Sequence, residues 1–209
     1  MQHHFHEQAI GKSKRDRTRA ALLDSAIAVM AERGFDATTV RDIVRYAGLS
    51  QGTFYNHFAD RESALTGAAG AILDRIDLRI AKRVRRMPTG CARLIVAADT
   101  IITAAVENPE HGAVLARAMA RFPEIAARVR PKLRADIRAG QRAGTIHVAP
   151  SRLLDEQISA ILRLAIKLRL AEHGRRTINR DTCEAVMRLL GQSPETSRKT
   201  VAAALQASP

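Results

Sequence analysis

The sequence predicts an all-α protein, with a short three-helix unit near the N-terminus and a larger helical bundle after it. Two observations carry this. Apolar residues recur at helical spacing along nearly the whole chain, and no run alternates with the two-residue period of a strand. Residues 38–65, TTVRDIVRYAGLSQGTFYNHFADRESAL, then read as two short helices joined by a tight turn, followed by the start of a third.

A first helix is expected over residues 17–33, with Leu22, Leu23, Ala26, Ile27, Val29 and Met30 inward, Gly34 just past its end and Phe35 packed at the join. Thr39 caps the second, with Asp42 three residues on in place of the capping-box glutamate. Val40, Ile43, Val44 and Ala47 form its apolar face, and Gly48 supplies the positive φ that ends it. Leu49 plugs the corner, and Ser50 caps the third helix, residues 51–58, whose Phe54 and Phe58 face the core. This is helix-turn-helix grammar, in which the second helix of the pair is sized to enter the major groove of DNA.

Asp60 caps a fourth helix carrying Leu65, Ala69, Ile72, Leu73, Ile76, Ile80 and Val84, which stops before Pro88. A fifth holds Leu94, Ile95, Ala98, Ile101, Ile102, Ala105 and Val106 and ends at Asn108-Pro109; a sixth follows over 110–121. The stretch 123–142 contains Pro131, which predicts a kink or a break, and Gly140 and Gly144 close it. Residues 151–173 form a long helix in which Leu154, Ile158, Ile161, Ala165 and Leu168 follow the 4-3-4-3 seam of a helix packed along another. Leu153, Leu162 and Ile166 widen that stripe beyond what one core needs. A last helix over 181–190 adds Val186, Leu189 and Leu190 and stops at Gly191. Beyond Ser193 the chain is expected to be weakly ordered or a short helix. The expected divisions are a flexible basic arm (1–16), the helix-turn-helix domain (17–65), the larger helical domain (66–193) and a C-terminal tail (194–209).

The chain has 209 residues, enough for one medium domain or two small ones. No apolar run approaches the ~20 residues that span a bilayer, and the start, MQHHFHEQAIGKSKR, lacks a signal-type segment. A cytoplasmic protein on the nucleoid, with no membrane partner, is the expectation. Cys91 and Cys183 lack metal-site spacing and read as reduced, partly buried thiols, with a thiol switch as the alternative. His3, His4 and His6 form a weak metal-binding tract or simply a disordered tail. No cofactor is expected.

The net charge of +13 invites a nucleic-acid reading, but its distribution matters. Residues 1–65 hold nine Lys/Arg against eight Asp/Glu, and residues 66–209 hold 25 against 13. DNA binding therefore depends on where a few basic groups sit, among them Lys12, Lys14, Arg15, Arg17 and Arg19. Each such group on a phosphate releases counterions and makes affinity salt-dependent.

The run T-T-V-x-D-I-V-x-x-A-G-L-S-Q-G-T-F-Y-N-H-F-x-D-R-E-x-x-L resembles the DNA-binding domain of the tetracycline-repressor (TetR) family. The resemblance covers about the first third of the chain, and its A-G-L-S-x-G-T-F-Y-x-H-F core is specific. It implies DNA contacts from the start of the second helix (Thr39), the recognition helix (Gln51, Gly52, Thr53, Tyr55, Asn56, His57) and the start of the fourth (Arg61, where many members have lysine). It also implies a homodimer formed by the last long helices, here through Leu154, Ile158, Ile161, Ala165, Leu168, Val186, Leu189 and Leu190. A small effector bound from the fourth helix onward would shift that helix and lower affinity for a double-stranded operator, most often as a repressor.

The residue chemistry agrees with these roles. A helix N-terminus offers free N–H groups to a phosphate, and the Thr39 hydroxyl adds a donor. Tyr55 and His57 carry donors suited to phosphates, and Arg61 suits bidentate contact. Gln51 and Asn56 can pair with adenine, and Thr53 offers a hydroxyl and a methyl for thymine. Gly52 lets the backbone approach the groove. Arg41 and Arg45 are secondary candidates. One module reads few base pairs, so two related by a two-fold axis would read a pseudo-palindrome.

Pocket residues are not named by the sequence. Phe122 is the lone aromatic beyond residue 58, which disfavours an aromatic cage for flat cations and favours an aliphatic pocket. Arg117, Arg121, Arg128, Arg130, Arg134, Arg138 and Arg142 read mostly as solvated faces; one or two turned inward would select an anionic ligand such as a carboxylate metabolite. Two other classes stand beside this reading. A non-specific or architectural DNA-binding protein fits the charge. A hydrolase would need His111, His147 and His173 to converge, since no catalytic grouping or phosphate loop appears in sequence.

Overall fold

The computed structural model describes residues 5, 11, 13–88, 90–171 and 177–208. Among them are ten helices and no strand: α1 (Lys14–Arg33), α2 (Val40–Ala47), α3 (Gln51–Tyr55), α4 (Arg61–Val84), α5 (Cys91–Glu107), α6 (Pro109–Arg121), α7 (Pro123–Arg142), α8 (Arg152–Ala171), α9 (Thr177–Leu189) and α10 (Pro194–Ala207). The chain divides into two units, Met1–Leu73 and Asp74–Pro209, and α4 runs through the division. Among the described residues no helix is long and apolar enough to cross a membrane.

In the first unit, the Ser13 hydroxyl accepts the Asp16 N–H at 3.1 Å and starts α1 at Lys14. Lys14 and Arg15, expected in a flexible arm, therefore ride on the same helix as Arg17 and Arg19. Lys12, His3, His4 and His6 lie outside the described residues. The expected inward face of α1 is buried, and Gly34 ends it at φ 82°. Gly48 closes α2 in the left-handed region at φ 66°, as the sequence predicts.

In the second unit, α5 is the central rod and packs against α6, α7, α8, α9 and α10. Its Ile95, Val96 and Ile102 are fully buried. A polar knot ties the unit's helices together: Arg83 pairs with Asp99 at 2.8 Å, and Asn179 donates to the other Asp99 oxygen at 2.8 Å.

Several expectations are corrected. α7 runs through Pro131 without the break that was one of the two expectations, and Pro131 sits on an exposed face where water can take the orphaned carbonyl. Gly140 lies inside α7 and is a packing site: a Cβ there would come within 2.5 Å of Ile146. Gly144, at φ 67°, supplies the turn. Residues 194–207 take the helical alternative as α10, capped by Ser193, which buries Ser197, Val201 and Ala204 while packing on α5 and α9, so this segment belongs to the bundle and is no separate tail. Both cysteines are free and buried. Burial pushes the Cys183 thiol up to about 12, which keeps it protonated and unreactive.

Candidate nucleic-acid interface

Three caps position the reader. Thr39 Oγ1 accepts the Asp42 N–H at 3.1 Å and donates to Asp42 Oδ2 at 2.6 Å. Ser50 Oγ accepts the Thr53 N–H at 3.1 Å and shares a second hydrogen bond with the Thr53 hydroxyl at 2.9 Å. Asp60 and Ser63 exchange bonds at 2.7 and 3.2 Å across the first turn of α4. The helical part of the reader is shorter than expected. α3 proper is Gln51–Tyr55, and the Phe58 N–H closes one more turn onto Phe54 O at 3.0 Å.

Phe54 and Phe58 are buried, their ring centroids 5.5 Å apart, so the inner edge of α3 is core as the sequence indicates. The outer edge presents Gln51, Gly52, Tyr55 and Asn56 to solvent, with Tyr55 56% exposed and edge-on to Phe54. Arg41 is exposed on α2. Thr53 is half-buried and its hydroxyl is tied into the Ser50 cap, which leaves its methyl as the group for a base.

Two side chains are engaged differently from expectation. The Thr39 hydroxyl proton goes to Asp42, so Thr39 orders the helix start. Arg61, expected at a phosphate, instead sends Nη1 to the carbonyls of Phe35, Asp36 and Thr38 at 3.2, 3.1 and 3.0 Å. A carbonyl cluster at the end of a loop attracts the nearest guanidinium, and Arg61 thereby holds the turn that delivers Thr39. Asp42 is also a hub, paired with Arg33 at 3.1 Å and Arg45 at 2.9 Å.

His57 is half-buried, and burial, then the charges of Arg15 and Arg19, pull its imidazole below the usual value. It is neutral at pH 7 and offers one N–H. Arg19 also lies over the Phe58 ring at 5.0 Å. Arg15 and Arg19 are thus basic groups beside the end of the reader. Their i,i+4 spacing was the available signal, hidden by the expectation that Arg15 lies in a flexible arm.

The proposed dimer residues divide. Leu154, Ile158, Ala165, Val186 and Leu190 are buried in the chain's own core and cannot meet a partner; Ile161 and Leu189 are half-buried. The outward row of α8 is Leu153, Leu164 and Leu168, at 69%, 56% and 38% exposure. Both rows have helical spacing, so periodicity alone cannot say which one faces the core.

The second unit holds a cleft with about 990 Å³ of empty space, its open mouth included. Ile80, Leu94, Ile101, Leu133, Leu162 and Val186 are among its apolar walls, and no aromatic side chain lines it. Arg93 and Arg130 do line it, as inward arginines, but each faces a carboxylate: Arg93 lies 3.5 Å from Asp136, and Arg130 lies 3.2 Å from Asp155. Burial raises the Asp136 carboxyl, against the opposing pull of the Gly90 N–H and Arg93. His111 is buried, His147 is exposed, and His173 lies outside the described residues. Among the described residues no three His, Cys, Asp or Glu side chains gather as a metal site.

Residues 22–65 match the family model "Bacterial regulatory proteins, tetR family". The transcriptional repressor KstR2 of Rhodococcus jostii is 47% identical over 64 residues, 31% of this chain and 30% of that protein, so this likeness spans under a third of the relative's length. The transcriptional repressor Rv3405c of Mycobacterium tuberculosis is 30% identical over 146 residues, 64% of this chain and 69% of that protein. The structure of RolR in complex with resorcinol superposes with a TM-score of 0.68 at 22% identity, over 90% of this chain and 95% of RolR, a likeness of fold. Capped helix-turn-helix, all-helical second unit and these likenesses together decide the assignment: the chain belongs to the tetR family of bacterial regulatory proteins.

Proposed function

We propose that this protein is a transcriptional repressor that binds a pseudo-palindromic operator as a homodimer and releases it when a small molecule fills the cleft of the second unit. The observation that carries the reading is the two-sidedness of α3: Phe54 and Phe58 fix one edge in the core, while Gln51, Gly52, Tyr55 and Asn56 are free on the other. Gln51 and Asn56 are the base readers, and the α2 N-terminus, Tyr55, His57, Arg15 and Arg19 serve phosphates. The outward row of α8, Leu153, Leu164 and Leu168, supports a helix-to-helix dimer. KstR2 and Rv3405c are repressors by name, and RolR was solved with a small phenol; both facts support the reading. A ligand against Ile80 or Val84 touches α4, the helix that begins at Arg61, and coupling of ~1–3 kcal/mol between sites is typical of such regulators.

Selection of bound genomic fragments, followed by competition with scrambled duplex, tests this. A specific repressor prefers its operator by ~10³-fold or more. Equal competition at every salt concentration would establish the architectural alternative. Gln51→Ala should cost ~1–3 kcal/mol at one base position and relax preference there, while stability moves by less than ~0.5 kcal/mol. An unchanged preference would remove Gln51 from the base readers.

A further inference from the structure

We propose that the cleft of the second unit selects a neutral, largely aliphatic molecule bearing a hydroxyl, which donates to Asp155 Oδ1 and accepts from Ser159 Oγ. This rests on the reading of the cleft as the effector site and names the ligand's chemistry.

Asp155 and Ser159 line the cleft and are both more than nine-tenths buried. Asp155 Oδ2 is saturated: Arg134 donates to it from Nη2 at 2.6 Å and Nε at 3.0 Å, and Arg130 Nε lies at 3.2 Å. Its other oxygen, Oδ1, has no partner, and neither has Ser159 Oγ. Buried polar atoms are nearly always hydrogen-bonded, and leaving one bare costs stability, so two on one wall need an explanation. The two residues stand one helical turn apart on α8, within reach of one small group. A hydroxyl is the smallest neutral ligand group that answers both, since it donates one hydrogen and accepts another.

Charge weighs against the other ligand classes. Each cation lining the cleft faces a carboxylate, Arg93 towards Asp136, Arg130 towards Asp155 and Lys132 towards Asp77 at 2.8 Å, although Arg93 Nε and Arg130 Nε make no hydrogen bond. Glu156 is a further carboxylate on the wall. An anion would meet these carboxylates, and its own oxygens could not donate to Asp155 Oδ1. A cation would crowd Arg130 and Arg134. The inward arginines therefore build the site without selecting an anion.

Isothermal titration of the full chain with 1-octanol, 1-methoxyoctane, octanoate and octylammonium tests the proposal. Octanol should bind about tenfold or more tightly than each of the other three. Ser159→Ala should fold at least as stably, because it removes a buried hydroxyl without a partner, yet weaken octanol binding about fivefold. Asp155→Asn should shift in the same direction, but it also loosens Arg130 and Arg134, so Ser159→Ala is the decisive variant. Equal binding of octanol and 1-methoxyoctane, tighter binding of either charged probe, or no binding by any probe overturns the proposal. Adding octanol to the protein–operator complex separates the two readings. Selective octanol binding that leaves DNA bound keeps the hydroxyl site and removes its effector role. Operator binding intact with no octanol selectivity does the reverse.

Discussion

Thr39 and Asp42 exchange two hydrogen bonds across the first turn of α2, the Asp42 N–H to Thr39 Oγ1 at 3.1 Å and the Thr39 hydroxyl to Asp42 Oδ2 at 2.6 Å. The second bond, more than the charges of Arg33 and Arg45, holds the Asp42 carboxyl below its ordinary value. The pair makes the helix start a rigid donor surface. Thr39→Ala should lower stability by about 1 kcal/mol in urea unfolding, the ordinary cost of a lost cap. Because the folded carboxyl is the more acidic, the contribution is present above its unfolded value, near 3.8, and fades as pH falls through the folded one. A Thr39→Ala protein with unchanged stability and an unchanged acid limb would show the cap to be idle.

Arg61 separates clamp from phosphate contact. Three carbonyls of the α1–α2 turn share its Nη1, and removing the guanidinium takes a charged donor from all three. Arg61→Ala should cost about 1–3 kcal/mol of stability, with the salt dependence of DNA binding unchanged. Loss of about one unit of salt slope with full stability would instead place Arg61 on a phosphate.

His57 sets a pH dependence. Its imidazole is pulled below the ordinary 6.5 by burial and by Arg15 and Arg19, so the unfolded chain takes up the proton first as pH falls. Stability is complete above about pH 6.5 and declines as pH drops toward the folded value. The His57→Gln variant should lack this limb in thermal unfolding between pH 5 and 7. If wild type and variant keep parallel profiles, His57 titrates alike in both states.

Local grammar was the legible part of this chain. Thr39, Ser50 and Asp60 announced their helices because a cap is a short-range device: the hydroxyl or carboxylate meets an N–H three residues on, whatever the tertiary setting. Gly34 and Gly48 were legible for the same reason. Arg61 was not, because its partners at Phe35, Asp36 and Thr38 lie more than 20 residues away in sequence. The cleft was half legible. Its lack of aromatics followed from composition, but the pairing of Arg93 with Asp136 and Arg130 with Asp155 depends on which helices meet. Pro131 suggested a break that the helix does not have, because a proline's cost depends on exposure, which the sequence does not print.

The two rows of α8 give the last prediction. Leu154 and Ile158 point into the core, and Leu153, Leu164 and Leu168 point away from it. If the outward row is the dimer surface, a charge at its centre should break the pair without breaking the fold. Leu164→Glu should weaken self-association about tenfold or more in analytical ultracentrifugation, equivalent to ~1.4 kcal/mol, and keep a helical spectrum at working concentration. Operator affinity should fall with it, because each half-site then binds one reader alone. Leu154→Ala, one position from Leu153, should behave oppositely. It leaves a core cavity that costs about 2–5 kcal/mol, so unfolding shifts first and association follows. A Leu164→Glu protein that remains a dimer would move the interface elsewhere on the second unit, since no inward residue of α8 is available to a partner.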